Sequence, residues 1–425
     1  WACPRTTDSS AKQCIMEKAP ARSDADDDGD RTVPKRKRSD ADDDGSEERL
    51  ARVARMCAWL TASGATGLGA LRVGVSADGA GVFSGEGGVA PGGVIASVPA
   101  SVALSVGASA AAAVGVACAR LSPPPSPEFV LWLDMASGRR DRSHASHPYL
   151  ASLPAVAPDC ASWSEADREA LAGTDVGAAV AAGAAALAAE HARVVPALDA
   201  RHSVTLTDLA WARGCYLSRR FPPRLLDAGA PRAGAPGVLL PFFDLLNHSG
   251  GTDIEWRGGG DAVVFVAGAA GVAAGAEVFN NYGDKANDEL LVAHGFARRG
   301  NPHDRVGLVL NVAVEGGDAR RLGPFFFLRG GAVPARLWRA LADPRNATSS
   351  SDSDASVPEV DVEAVELLLA TLRARLAPFV ASSAADAAAA DDDGGHAASA
   401  AFYRLGQRDI LEDAVAGLNT MLVGS

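Results

Sequence analysis

The chain is 425 residues long, 48% hydrophobic and 22% charged, with a formal net charge of −12 at pH 7. This length is enough for two domains with a sizeable core, and the acidic balance argues against a general nucleic-acid-binding protein, which usually carries a basic surplus. The six cysteines are dispersed and include no Cys-x-x-Cys pair, so the sequence predicts neither a metal site nor a disulfide framework.

Residues 1–48 are predicted to be a disordered tail. An acidic segment, Ser23–Gly29, recurs as Ser39–Gly45, and such a stretch cannot bury enough apolar surface to offset its ordering entropy. The basic run Lys35–Arg38 between the copies is typical of a nuclear-localisation signal, although it equally fits a solvated charge cluster neutralised by its flanks. The run favours the nucleus or cytoplasm. The first residue, Trp1, indicates a fragment or mature form and leaves a plastid presequence open.

The next segments combine helical and strand-like patterns. Apolar residues follow helical spacing from Leu50 to Leu60, and short β-branched runs separated by glycines predict strands between residues 70 and 99. Residues 101–235 are mostly helical by pattern, and one helix is predicted to start at Ser126 as N-cap with Pro127 in the first position. Further predicted helices begin at Ser164 and span Leu206–Phe221.

The longest apolar stretch, Val176–Ala189, is rich in alanine and is followed by Glu190 and Arg193. It is predicted to be too short and too weakly hydrophobic to span a bilayer. We therefore expect a soluble monomer with no membrane partner and no nucleic-acid partner.

Strand-like segments return in the second half of the chain. They are predicted at Val238–Leu246, Thr252–Trp256, Ala262–Val266, Glu277–Tyr282 and Val306–Val314. A helix is expected after Asn287, which is a good N-cap residue. Beyond Gly330 the chain is predicted to be helical, with two flexible low-complexity loops at Ser349–Asp354 and Ala384–Ala400.

Three motifs carry groups suited to binding or chemistry. The first is Asp78-Gly79-Ala80-Gly81-Val82-Phe83, whose Gly-x-Gly turn lets the backbone approach a ligand closely. Taken alone, it fits a hairpin turn better than a ligand site, and it lacks the third glycine of a dinucleotide fingerprint.

The second motif, Pro241–Ser249, ends an apolar strand in Asp244, Asn247 and His248. Asn and Ser are turn formers, so the motif also fits a plain strand end. The third motif places Tyr282-Gly283 after a strand and before the predicted helix, which is followed by His294-Gly295-Phe296. Tyr282 taken alone also fits a half-buried aromatic with a satisfied hydroxyl.

Together and in this order, the three motifs resemble SET-domain protein methyltransferases. More narrowly, they are similar to the branch that contains Rubisco large-subunit lysine methyltransferase and the actin-histidine methyltransferase. Further similarity lies in Trp132-Leu133, in Pro148–Pro154, around Trp211–Phe221 and in Phe402–Leu411, so the resemblance covers roughly residues 50–425.

The resemblance implies an α+β fold with a SET-type β core at residues 49–300, interrupted by a helical insertion at about 101–235. It also implies that residues 301–425 form a helical substrate-binding domain of the Rubisco methyltransferase type. The implied activity is transfer of a methyl group from S-adenosyl-L-methionine to a lysine of a protein substrate, without a metal.

By the same resemblance, Tyr282 is the catalytic hydroxyl at the transfer site. The implied cofactor-binding residues are Asp78, Gly79, Ala80, Gly81, Arg219, Asn247, His248 and Tyr282. The implied acceptor-binding residues are Ser218, Asp244 and His294.

The chain departs from this branch at three places, one of which is Gly87-Gly88, where the family has a typically more polar or branched pair. His294 stands where Rubisco-type enzymes carry a second tyrosine and the histidine-methylating relative a small polar residue, and Asp78 replaces a glutamate. His294 could contact the acceptor, tune its protonation or fill space. Two alternatives therefore stay open: a protein-histidine N-methyltransferase, and a catalytically silent SET-like interaction module.

Overall fold

The computed structural model describes residues 46–76, 79–231, 234–312, 320–330, 333–342, 362–391 and 394–424. The predicted tail up to residue 45, with its basic run Lys35–Arg38, and the predicted loop Ser349–Asp354 lie outside these residues. Within them the protein is α+β, as predicted, with four small antiparallel sheets among many helices.

The first helix, α1 (Ser46–Ala62), packs its apolar stripe inward, and Val53, Met56 and Leu60 are fully buried. An antiparallel hairpin follows, made of β1 (Leu71–Ser76) and β2 (Gly79–Ser84). The predicted helix and the first strands are therefore present.

The next strand, β3 (Val94–Pro99), leads into the helical insertion. Side-chain caps start its helices where the sequence predicts them: Ser126 accepts a hydrogen bond from the Phe129 amide, and Ser164 from that of Asp167. The insertion helices are α2 (Val106–Ala111), α3 (Ala113–Cys118), α4 (Pro127–Arg140), α5 (His147–Ser152), α6 (Glu165–Glu169), α7 (Asp175–Val194) and α8 (Leu206–Arg219).

Helix α7 is longer than the apolar stretch that the sequence marks. By length and composition alone, Asp175–Ala197 could cross a membrane, because its mean hydropathy reaches 1.3. The helix continues past Glu190 and Arg193, beyond the predicted end of the apolar stretch, and the expected absence of a membrane partner stays a prediction.

Helix α8 ends two residues before the predicted end at Phe221. The last two residues form β4 (Arg220–Phe221), which pairs with β5 (Val238–Leu239). Pairing with a strand distant in sequence here overrides the local helical pattern.

The core sheet has the order β3-β7-β6, with β6 (Ile254–Arg257) and β7 (Ala262–Ala267). Phe265 of β7 is fully buried and stacks on Phe243 at a ring-centroid distance of 3.7 Å. This aromatic contact fixes the segment that follows β5 against the sheet.

Two predicted strands are shorter than expected. The first, Val238–Leu246, is a strand only at β5, since Phe242 adopts a φ of 77° and a turn of 3-10 helix follows at Phe243–Leu245. The second, Glu277–Tyr282, forms only isolated bridges. Its alternate residues pair with two different segments. The Val278 amide donates to the Val82 carbonyl, and the Asn280 amide donates to the Asn247 carbonyl, each at 2.7 Å.

Helix α9 (Asn287–His294) carries the end of the third motif. The prediction of Asn287 as N-cap was wrong by one position, since Ala286 precedes the helix and Asn287 is its first residue. The buried carboxylate of Asp304 accepts the Asn287 backbone N–H at 2.8 Å, so a residue distant in sequence supplies the cap.

The C-terminal part combines a hairpin with three helices around its own apolar core. Its elements are β8 (Arg305–Val312), β9 (Arg320–Leu328), α10 (Ala335–Ala342), α11 (Val362–Asp391) and α12 (His396–Gly424). The predicted flexible loop at Ala384–Ala400 was wrong: α11 and α12 occupy most of it, and Ala390, Ala398 and Ala400 are buried because small side chains let elements approach closely. The predicted domain boundary near residue 300 stays a prediction.

Candidate functional site

The β1–β2 hairpin is joined to the second motif by one amide side chain. Asn247 Nδ2 donates to Glu277 Oε1 at 2.7 Å, to Ser76 Oγ at 3.2 Å and to the Ala80 carbonyl at 3.4 Å. A Cβ at Gly81 would collide with the Glu277 carboxylate and lie 3.0 Å from Asn247 Nδ2. Glycine is required there because backbone and polar side chains meet so closely.

The second and third motifs lie side by side, although residues 250–276 separate them. His248 and Asn280 form a parallel bridge, and the Ser249 amide donates to the Asn280 carbonyl at 3.0 Å. Buried Asn280 also accepts the Trp256 indole N–H through Oδ1 at 3.0 Å. These bonds fix the backbone just before Tyr282.

Tyr282 is held between two imidazoles. Its ring stacks on His248 at 4.9 Å and on His294 at 4.7 Å between centroids, with interplanar angles of 22° and 20°. Its backbone N–H donates to His248 Nδ1 at 3.1 Å, and its hydroxyl donates to the Leu246 carbonyl at 3.1 Å. The phenol is therefore fixed at both ends.

Beside this stack lies a buried charge cluster of Arg219, Asp244 and Tyr149. Arg219 Nη1 donates to the Asp244 carbonyl at 2.6 Å and lies 3.4 Å from its Oδ2, which accepts the Tyr149 hydroxyl at 2.8 Å. Burial raises the pKa of the Asp244 carboxyl, and the charge of Arg219 offsets this only in part. Burial, followed by the charge of Asp244, raises the pKa of Tyr149 well above its usual value, so it stays a donor.

Two hydrogen-bonding atoms of this cluster have no partner in the described parts of the chain. Arg219 Nε and Asp244 Oδ1 are both shielded from solvent. Leaving such atoms unbonded costs about 1–3 kcal/mol each. The cluster therefore has the capacity to bind one more polar ligand group.

The stack lies in positively charged surroundings. Burial, followed by the charge of Lys285 and then His248, lowers the pKa of His294 well below its usual value. Burial also lowers the pKa of Lys285, with a further contribution from Arg220, while Glu289 opposes the shift. A cation that enters this site is repelled by these positive charges. The site therefore favours an acceptor nitrogen in its uncharged form.

The structure brings most of the predicted site residues together. The Ala80 carbonyl accepts a hydrogen bond from Asn247, Gly81 lies close to Asn247 and Glu277, and His248, Tyr282 and His294 form the stack. Ser218, in the last turn of α8, donates to the Cys215 carbonyl at 3.1 Å. Asp244 lies beneath the site, its side chain 1% exposed, rather than along an open channel. The remaining predicted residues are Asp78, which is outside the described residues, and Gly79, the first residue of β2.

Three residues of the site were not predicted: Glu277, Lys285 and Tyr149. Glu277 and Lys285 are charged residues on either side of Asn281-Tyr282-Gly283. Their position beside this motif was the signal that could have indicated them as site residues. Tyr149 is distant in sequence, and its bond to Asp244 follows from the tertiary structure alone.

The donor set fits S-adenosylmethionine. A positively charged guanidinium with an unbonded Nε suits the carboxylate of an amino-acid ligand, and the glycine hairpin offers backbone at close range. Among the described residues, no group of His, Cys, Asp and Glu is arranged to hold a metal ion.

Comparisons with known proteins agree with this geometry. No family model matches the chain. A stretch of 106 residues is 34% identical to ribosomal lysine N-methyltransferase 1 of Saccharomyces cerevisiae, covering 25% of this chain and 18% of that protein. A stretch of 107 residues is 35% identical to ribosomal lysine N-methyltransferase set10 of Schizosaccharomyces pombe, covering 25% and 19%. The matches thus span less than a fifth of these relatives.

The fold is shared over nearly the whole length. The SET domain of LSMT bound to lysine and AdoHcy superposes with a TM-score of 0.72 at 20% identity, covering 88% of this chain and 92% of that one. Rubisco LSMT bound to AdoMet superposes with a TM-score of 0.70 at the same identity and coverage. The predicted resemblance to SET-domain methyltransferases is thereby confirmed at the level of the fold.

Proposed function

We propose that this protein is an S-adenosylmethionine-dependent protein-lysine N-methyltransferase of the SET type. The observation that carries the proposal is that the three distant motifs meet in one site: Asn247 bonds to the glycine hairpin, and Leu246 and His248 of the same motif hold Tyr282. The curated relatives are named lysine N-methyltransferases, and the similar structures hold AdoMet or AdoHcy and lysine.

The reaction requires an uncharged nitrogen. A lysine with a pKa near 10.4 is neutral in only about one molecule in 2,500 at pH 7. S-adenosylmethionine, when bound, supplies an electrophilic methyl group on a sulfonium. The chain supplies cations around Tyr282, from Arg219, Arg220 and Lys285, and these disfavour the ammonium form of the acceptor. The released proton passes to solvent before the nitrogen enters.

Tyr282 orients the reacting groups. Its backbone is bonded to His248 and its hydroxyl to the Leu246 carbonyl, so the phenol oxygen has little freedom. Holding a nucleophile in line with the bond to be broken removes much of the entropic part of a barrier. In the proposed mechanism the Tyr282 oxygen and the Leu246 carbonyl orient the acceptor nitrogen so that its lone pair points at the methyl group.

Cofactor and acceptor use different sides of the site. Asn247, His248 and the backbone of Gly79–Gly81 hold the cofactor, and Arg219 Nε donates to its carboxylate. Ser218 and His294 contact the acceptor. Asp244 supports the cofactor side from beneath, by fixing Arg219.

Calorimetry tests the cofactor site. We expect wild type to bind S-adenosylmethionine and Asn247→Ala to bind about tenfold or more weakly, since it loses bonds to both β1 and Glu277. Asn311→Ala, at an exposed position of β8, is the matched control and should bind like wild type. Folded wild-type protein that does not bind would favour the silent interaction module.

The acceptor is tested by labelled methyl transfer. Incubating the protein with S-adenosylmethionine labelled in its methyl group and with a cell extract, followed by hydrolysis, should yield methyl-lysine. Recovery of methyl-histidine without methyl-lysine would instead identify a protein-histidine methyltransferase.

A further inference from the structure

His294 is a polar residue in the ring stack, at a position that an apolar aromatic side chain would also fill. Its imidazole lies against Tyr282 at 4.7 Å and tilts against Phe296 at 6.1 Å between centroids. Its Nε2 is shielded from solvent and bonds to none of the described residues. An unbonded buried polar atom costs about 1–3 kcal/mol, so a phenylalanine would be the more stable choice unless Nε2 gains a partner during function.

The imidazole is held rigidly from the backbone side. It belongs to the last residue of α9, and Gly295 caps that helix with a φ of 68°. A Cβ at Gly295 would collide with the Pro158 carbonyl and lie 3.2 Å from Trp163 Nε1. The backbone next to His294 is therefore packed closely against the segment that carries Pro158 and Trp163.

Among the described residues, the charged groups that act most strongly on His294 are cations or can become cations. They are Lys285 from the loop before α9, His248 from the second motif, Arg219 from α8 and Arg220 from β4. Together with burial, they keep the pKa of the imidazole well below its usual value. The ring is therefore uncharged at physiological pH, and one of its nitrogens is an acceptor.

We propose that His294 binds the accepting nitrogen in its neutral form: its Nε2 accepts a hydrogen bond from the amine, while the cations around the ring disfavour an ammonium. This inference rests on the proposed function. One N–H of the amine bonds Nε2, which leaves the lone pair for the methyl carbon. The N–C bond then forms as the C–S bond breaks, and His294 takes up no proton.

Nuclear magnetic resonance directly reports the protonation state of the His294 ring and the hydrogen bond at its Nε2. In protein labelled with ¹⁵N-histidine, the His294 resonances are identified by their loss in His294→Gln. With S-adenosylhomocysteine and free L-lysine as probes, we expect the ring to stay neutral from pH 5.5 to 8.5. We also expect Nε2 to shift on adding lysine, more at pH 9 than at pH 7. A ring that titrates near pH 6.5 would overturn the proposal.

Two variants separate hydrogen bonding from space filling. By calorimetry with S-adenosylhomocysteine present, His294→Phe should bind lysine about tenfold more weakly, the loss of one hydrogen bond. His294→Gln keeps a polar acceptor without titrating and should stay within about threefold. Cofactor affinity should change less than about twofold in both, which also shows that they fold.

Wild-type affinity for lysine in His294→Phe would overturn the role of His294 while leaving the proposed function intact. Failure of wild type to bind S-adenosylhomocysteine is a different result, because it would overturn the methyltransferase function itself.

Discussion

Two polar clusters lie at opposite ends of α9 and differ in how completely they are bonded. At its start, Asn287, Asn301 and Asp304 are buried, and their side chains bond one another and nearby backbone groups. At its end, Arg219 Nε, Asp244 Oδ1 and His294 Nε2 are shielded from solvent and bond to none of the residues that the structure describes. A completed network stabilises the fold, whereas buried groups left unbonded cost free energy and so indicate a ligand site.

The largest expected effect is on the completed cluster. Asn287→Ala removes side-chain bonds to the Arg298 backbone and Asp304 and leaves buried partners unbonded. We expect the free energy of unfolding to fall by about 3–4 kcal/mol. Chemical denaturation measures this, with exposed Asn311→Ala as the matched control. A loss no larger than that of the control would contradict the structural role of the cluster.

The second effect separates chemistry from stability. Tyr282→Phe loses the hydroxyl but keeps the ring between the two imidazoles, so the initial rate of methyl transfer should fall about 100-fold, equivalent to about 2.7 kcal/mol. Thermal stability and cofactor affinity should change little. If the rate were unchanged while the protein stayed folded, Tyr282 would be a packing residue.

The third effect concerns pH. Burial, opposed mainly by the Asn287 amide and then by Arg329, raises the pKa of Asp304 to about 6. Because the unfolded value is lower, near 3.9, the unfolded chain releases this proton first, and stability falls as pH rises toward 6. The decrease should be about 1.4 kcal/mol per pH unit between roughly 4 and 6.

Denaturation of wild type and Asp304→Asn across that range measures this contribution. The variant should lack this part of the decrease. Parallel curves for the two proteins would show that Asp304 is already ionised at pH 4.

The smallest effect tests the incomplete cluster. Tyr149→Phe removes the hydroxyl that donates to Asp244 Oδ2 at 2.8 Å, and the expected loss of stability is about 1.5 kcal/mol, typical of a bond to a charged group. If Asp244 fixes Arg219 for the cofactor, S-adenosylmethionine affinity should also fall, by about threefold. A loss of stability with unchanged affinity would limit Tyr149 to a structural role.

Local signals in the sequence determined much of the fold. The caps at Ser126 and Ser164 start helices where predicted, since each of these caps is the residue just before its helix. The order of the three motifs was enough to predict a SET-type fold, and to place Asn247, His248, Tyr282 and His294 in one site, whose roles remain predictions.

Features whose partners are distant in sequence were determined only by the tertiary structure. The segment Glu277–Tyr282 is not a strand because its amides are shared between β2 and the second motif, and Asp304 rather than Asn287 caps α9. The charge state of His294 depends on Lys285, Arg219 and Arg220, which reach it from three separate elements. Electrostatic energies depend on distance in space and on burial, so the sequence alone could mark His294 as unusual but could not show that it is uncharged.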